Sequence, residues 1–159
     1  MRVIAFDISL NSTGVCFPGG HTEILRGLNN KSTMQDRLGH LFEEFKHAIK
    51  RADPMVVAKE SAVIHPRQVS GARDLLAVHG VLAAAIWAVS PRIDVIDISP
   101  MSLKKFARET VESPITKPSK SDMIAFAKQD GCVGDPNSDE ADAYWVYRWA
   151  MAQNGSVSS

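Results

Sequence analysis

The apolar and polar positions change period along the chain, and each change marks an element. Val3, Ile4, Ala5 and Phe6 lie between Arg2 and Asp7, a β-branched and aromatic run that predicts a buried strand. Ser9, Asn11, Ser12, Thr13 and Gly14 follow with turn chemistry. Val15 to Phe17 and Thr22 to Leu25 predict two more short strands around the turn at Pro18, Gly19 and Gly20, so the chain opens with an antiparallel three-stranded meander. From Thr33 the period becomes helical, because Met34, Leu38, Leu41, Phe42, Phe45 and Ile49 recur at spacings that place them on one stripe. Asp53 before Pro54 ends that helix, since a residue preceding proline is pushed out of the α region.

Met55 to Ala58 predicts a fourth strand, apolar throughout and therefore central, which runs into Lys59 and Glu60. Ser61 to Gly71 reads as a loop, Ala72 to Val89 as a long Ala-rich helix buried against the sheet, and Ile93 to Ile98 as a fifth strand. Ser99 caps a helix with Pro100 at its first position. A proline-containing loop over 109–119 separates it from a helix over Lys120 to Lys128, and after a loop from Gly131 to Asn137, Ser138 caps a last helix reaching Ala152. The order predicts an α/β fold. Its mixed five-stranded sheet, three antiparallel strands then two parallel, is flanked by helices in one domain over 1–152, with a flexible tail over 153–159.

Composition changes this picture only by exclusion. The 159 residues suit a single domain, and 45% apolar content supplies a real core. Eighteen basic residues balance eighteen acidic ones, so the total charge neither favours nor excludes a polyanion partner. No apolar run approaches the roughly 18 residues of a membrane span, and the opening residues lack the pattern of a secretory signal. Cys16 and Cys132 alone make neither a disulfide scaffold nor a cysteine zinc site. The expectation is a cytoplasmic protein without a membrane partner.

Four acids stand out by position. Asp7 ends the first strand and Glu60 ends the fourth, while Asp139 and Asp142 sit one turn apart on one face of the last helix. Taken singly, an Asp at a strand end caps a turn, Glu60 has Lys59 or Arg67 to pair with, and the helical pair suits the positive end of a helix dipole. Together they would gather at one sheet edge if the first and fourth strands are neighbours. A four-carboxylate cluster is costly without a counter-ion, and Mg²⁺ or Mn²⁺ removes that cost through oxygen ligands. Two such ions can activate a water and stabilise the leaving oxygen of a phosphodiester.

The run IAFDISLNSTG resembles the opening of RuvC-type Holliday-junction resolvases, in which a strand-one Asp precedes a Ser/Thr-rich turn and a glycine. VVAKES, followed by a loop and the Ala-rich GARDLLAVHGVLAAA, is similar to that family's second acidic segment, and SDEADA to its C-terminal acidic helix. The segments arrive in the family's order over residues 2–150. The resemblance implies a ribonuclease-H-like fold and a homodimer. It also implies Mg²⁺-dependent nicking of opposed strands in a four-way DNA junction, leaving 5′-phosphate and 3′-hydroxyl ends. It implies that Asp7, Glu60, Asp139 and Asp142 hold two metal ions, with Asp7 central and Mn²⁺ able to replace Mg²⁺.

Local charge points to DNA more than the total does. Lys104, Lys105, Arg108, Lys117 and Lys120 crowd one stretch, and Arg67 and Arg73 fall in another that holds no acid. By the resemblance, Lys104 (or Lys105, one residue on) and Lys120 match lysines that contact the scissile phosphate or stabilise developing charge. In the loop after Glu60, Val63, Ile64 and His65 stand where relatives carry an aromatic, and Arg67, Gln68 and Arg73 are candidate phosphate contacts. The helix over 72–89 carries enough apolar surface to form a dimer contact as well. Three other readings remain open at this level: a related nuclease acting on flaps, forks or RNA–DNA hybrids, a non-catalytic junction-binding module, and an actin-like phosphate-binding module, for which the chain is short.

Overall fold

The computed structural model describes residues 1–63 and 69–155. Five strands, β1 (Val3–Asp7), β2 (Ser12–Cys16), β3 (Thr22–Arg26), β4 (Val56–Glu60) and β5 (Asp94–Ile98), form one sheet in the order β3-β2-β1-β4-β5. β2 is antiparallel to β1 and β3, whereas β1, β4 and β5 run parallel. The five helices are α1 (Met34–Ala52), α2 (Val69–Val89), α3 (Pro100–Thr110), α4 (Lys120–Gln129) and α5 (Ser138–Gly155). The mixed α/β sheet expected from the sequence is therefore the one observed.

Strand alternation divides the interior in two. Val3, Ala5, Val56 and Ala58 face α3, α4 and α5, where they pack with Leu103, Met123, Phe126 and Trp145. Ile4, Phe6 and Val57 face the other way, against Leu41, Phe45 and Ile49 of α1 and Val78, Leu82 and Ile86 of α2. By the same alternation Asp7 and Glu60 project on the α5 side, and Lys59 projects on the opposite side, where its Nζ lies 2.7 Å from Asp97 Oδ1. Lys59 is thus spent across the β4–β5 pair, leaving Glu60 without it.

α1 begins where its pattern says it should. The Thr33 hydroxyl accepts from the Asp36 N–H, and the chain leaves the helix through Asp53 in the left-handed region before Pro54. α5 is fixed along its length. Trp145 is fully buried with its Nε1–H donating to the Met123 carbonyl at 3.1 Å, and the Tyr144 hydroxyl and Arg148 guanidinium both bond the Asp130 carboxylate.

Several expectations are corrected. β2 begins at Ser12, not Val15, because Ser12 to Gly14 pair with Arg26 to Ile24 of β3. The turn before it is shorter and is tied by two hydroxyls: Thr13 Oγ1 accepts from the Ser9 N–H and donates to the Ser9 carbonyl, and the Ser9 hydroxyl donates to the Ser12 carbonyl. Asn137, not Ser138, caps α5: its Oδ1 accepts from the Glu140 N–H at 3.0 Å while Glu140 Oε2 accepts from the Asn137 N–H at 3.1 Å. Ser138 lies inside the helix, which continues to Gly155, beyond the predicted end at Ala152.

α2 departs most from expectation. It begins at Val69 and is not enclosed by the sheet: Val78, Leu82, Ala85 and Ile86 are buried, but Leu76 is 49% and Trp87 71% exposed. Its Gly71–Val89 stretch, with mean hydropathy 1.5, is also long and apolar enough by length and composition to cross a membrane, contrary to the sequence reading. Arg73, Asp74 and His79 fall within it, but the alanines, leucines and valines around them keep its mean hydropathy high. The face buried against α1 is that of a core helix.

Candidate active site

The β1–β4 register pairs Phe6 with Lys59, which sets Asp7 and Glu60 side by side at the carboxyl ends of two central parallel strands. Across the other ladder Asp7 pairs with Gly14 of β2. The first turn of α5 lies directly over that glycine, and a Cβ there would stand 1.9 Å from the Asp139 carbonyl oxygen. Only a residue without a side chain allows this approach. It brings Asp139 and Asp142 to the strand ends, and the Ser12 hydroxyl donates to Asp139 Oδ2 at 2.7 Å to orient it.

Burial and neighbouring charge raise three of the four acids. Burial, reinforced by the negative charges of Asp142, Glu60 and Asp139, holds the Asp7 carboxyl well above the usual carboxylate range. Burial, with repulsion from Asp142, pushes Glu60 up to about 7. Burial raises Asp142 to about 6, with Asp139 adding to it and Lys104 and Lys120 opposing it. Among the described residues, none of the side chains of Asp7, Glu60 and Asp142 takes part in a hydrogen bond or salt bridge, so no protein group neutralises them at contact.

A donor set of four carboxylates without sulfur or imidazole suits a hard divalent cation. Among the described residues no group of three or more acids, histidines or cysteines is already arranged to grip one. The set fits the metal chemistry that the sequence predicts.

Lys120, the first residue of α4, is exposed yet its charge lowers both Asp7 and Asp142. On α3 it is Lys104, not Lys105, whose charge reaches Glu60 and Asp142, while Lys105 lies 3.9 Å from Glu109 on its own helix. Lys117 lines a groove with Lys104 and Lys105. Arg73 is exposed on α2 and is not among the charges that perturb the acids. Ile64, His65, Arg67 and Gln68 lie outside the described residues. Sequence reasoning passed over Ser12 and Gly14 as turn formers. Their signal was present in the short Ser-Thr-Gly run, but its meaning depends on a helix more than a hundred residues away.

With the fold in hand, comparison with solved structures is informative. Two structures of Thermus thermophilus RuvC, one of them in complex with a Holliday junction substrate, superpose with a TM-score of 0.74. They share 18% and 19% identity with this chain, covering 98% of it and 96% and 97% of theirs. The fold is the RuvC fold. The yeast mitochondrial Holliday junction resolvase also matches, with a TM-score of 0.57, 12% identity and coverage of 97% of this chain and 82% of that one. The sequence itself matches no protein-family model and no curated protein. In this RuvC-like frame the four acids share the face of the sheet covered by α5, at the carboxyl ends of β1 and β4, where open α/β sheets place their ligands.

Proposed function

We propose that this protein is a metal-dependent endonuclease that resolves four-way DNA junctions as a homodimer. The reading is supported by Asp7 and Glu60 at the ends of neighbouring strands under α5, where burial and the nearby acids raise Asp7, Glu60 and Asp142, with Asp139 one turn away on the same helix. Asp7, Glu60, Asp139 and Asp142 would hold two Mg²⁺ ions, with Mn²⁺ as a substitute. Such ions, when bound, make water a better nucleophile at neutral pH and stabilise the leaving oxygen. Hydrolysis adds water across the P–O3′ bond, so the products carry a 5′-phosphate and a 3′-hydroxyl.

The chain's own groups supply the rest. Ser12 holds Asp139 in one orientation through its hydroxyl. Lys120, already coupled to Asp7 and Asp142, stands where it can offset charge developing on the phosphate. Lys104 does the same from the α3 side, and Lys105, Lys117, Arg73, Arg67, Gln68 and His65 are the proposed contacts to the DNA backbone and branch.

The substrate class is supported by the shared fold: one matching structure holds a Holliday junction, and another match is a Holliday junction resolvase. The homodimer is supported by α2, where Leu76, Gly80, Ala83, Ala84, Trp87 and Ala88 form an exposed apolar stripe at helical spacing. Two copies joined through that stripe by a two-fold axis would present two sites to opposed strands of a junction. Acting on DNA, the protein would work in the cytoplasm.

The test is cleavage of a labelled synthetic four-way junction with Mg²⁺, beside linear duplex, flap and RNA–DNA hybrid, with Asp7→Asn as control. Paired nicks near the branch that a ligase can seal, absent in the variant, are expected. Cutting of the flap or hybrid instead would replace the substrate, and no metal-dependent cutting of any DNA would overturn the nuclease reading.

A further inference from the structure

Beside the acids, between α3 and the loop that leads into α4, lies a groove of about 590 Å³ whose lining differs from the rest of the surface. Lys104, Arg108 and Lys117 line it together with Lys105, and among the described residues no carboxylate does. Among the described residues Glu109 is the one acid paired with any of them, and its contacts are long: 3.5 Å to the half-buried Arg108 Nη2 and 3.9 Å to the exposed Lys105 Nζ. Between these cations sit Pro100, Pro118 and Met101, and Met101 is 82% exposed.

Helical spacing makes this a single face. Met101, Lys104 and Arg108 lie three and seven positions apart along α3, while Leu103 and Ala107 on the opposite side are fully or almost fully buried. Met101 therefore presents a largely bare thioether on the same lining as the cations. An apolar protein segment would have to strip water from the surrounding ammonium and guanidinium groups in order to reach it, whereas a nucleotide offers both halves at once, an anionic phosphate and an apolar base face. The groove opens next to the strand end that carries Glu60: Ile98, the last residue of β5, pairs with Glu60, and Pro100 and Met101, which line the groove, follow it closely at the start of α3. An occupant of the groove would lie beside that strand end.

We infer that this groove is a subsite for one DNA strand adjoining the scissile phosphate, seating its phosphates on Lys104, Arg108 and Lys117 and one unpaired base against Met101. The inference rests on the junction-nuclease reading and extends it. Its volume suits one or two nucleotides and not a duplex. A base can reach Met101 only where stacking is already broken, as at a branch point. Recognition there is by shape and apolar contact, with no hydrogen-bond code, so tolerance for the identity of that base follows.

The experiment uses the full chain carrying Asp7→Asn and junctions with a fluorescent aminopurine placed in turn at each nucleotide near the branch. Cleavage by the unsubstituted protein is run beside it. Binding is expected to brighten one aminopurine position, and Met101→Ser is expected to remove most of that gain with little effect on the salt dependence of affinity. Lys117→Gln and Arg108→Gln are expected to weaken binding by about threefold to tenfold and to lower the salt slope by about one each. Met101 and Lys117 are exposed, so their substitution leaves the fold intact. Unchanged brightening in Met101→Ser and unchanged affinity in Lys117→Gln, with the unsubstituted protein cutting junctions, would overturn the subsite alone. If that protein neither bound nor cut branched DNA, the nuclease reading would fall and the subsite with it.

Discussion

The carbonyl oxygen of Asp139 lies against Gly14 so closely that a methyl group on the glycine would stand 1.9 Å from it. Gly14 in turn pairs with Asp7 across the β1–β2 ladder. One residue without a side chain therefore sets the separation between the acid on the sheet and the acids on α5.

Gly14→Ala should act on stability and on the site together. The added carbon must displace backbone, and overpacking of this kind costs about 1–3 kcal/mol. Thermal unfolding should show a lowered midpoint, and Mg²⁺-supported junction cleavage should fall by more than the loss of folded protein explains. Equal losses in both would mean that the glycine serves packing alone.

Ser12→Ala removes the hydroxyl that donates to Asp139 Oδ2 at 2.7 Å while leaving the strand intact. Groups that orient metal ligands contribute about 10–100-fold in metal affinity or activity. The Mg²⁺ concentration for half-maximal cleavage should rise by a factor in that range, with no change in the unfolding midpoint. A shift in stability without a shift in metal requirement would assign the contact to the fold.

The raised carboxyls make metal-free stability depend on pH in a definite sense. Glu60 and Asp142 bind protons more tightly in the fold, at about 7 and about 6, than in the unfolded chain. Their protonation therefore supports the folded state fully at low pH, below their ordinary carboxylate values, and that support is lost as pH rises toward 7. In the presence of a chelator the unfolding midpoint should be depressed at pH 8 relative to what these groups permit near pH 5, and Mg²⁺ should restore it at pH 8 but not at pH 5. Asp142→Asn should raise the metal-free midpoint at pH 8. A metal-free midpoint in that variant at or below the parent's would contradict the repulsion.

Lys104 and Lys120 lower the acids, whereas Lys105 is not among the charges that do. Lys104→Gln should move the acid limb of the pH–rate profile for cleavage upward, because Glu60 and Asp142 then deprotonate less readily. Lys105→Gln should leave the position of that limb unchanged. Equal movement in both would place the two lysines on the same footing.

The stripe along α2 predicts its own measurement. Leu76→Glu with Trp87→Glu, both at exposed positions, should convert a dimer to a monomer in analytical ultracentrifugation without lowering the unfolding midpoint of the monomer. A monomeric parent would remove the proposed dimer.

The features legible in the chain are those with local causes. The six apolar positions of α1 and its end at Asp53 are read within a few residues of where they act. Asp7 and Glu60 fall at the ends of strands whose alternation puts both on one face, so their pairing needed only the knowledge that β1 and β4 are neighbours. The lysine stretch from 104 to 120 was visible as composition, with its register left open between Lys104 and Lys105.

Tertiary structure decided what depends on partners distant in sequence. Ser12 and Asp139 meet across 127 positions, and only that meeting turns a turn-forming run into part of the site. That α2 shares its buried face between α1 and the sheet and leaves Leu76 and Trp87 exposed could not be read from an apolar helix, because hydrophobicity states how much surface wants cover and not which surface supplies it. Asn137 outcompetes Ser138 as the cap of α5 because the reciprocal bond with Glu140 closes only from that position. The chain by itself determined strands, helices and the identity of the acids, since propensity and period act over a turn or two. Their convergence was decided by a helix laid against a glycine, a contact that exists only once the sheet is complete.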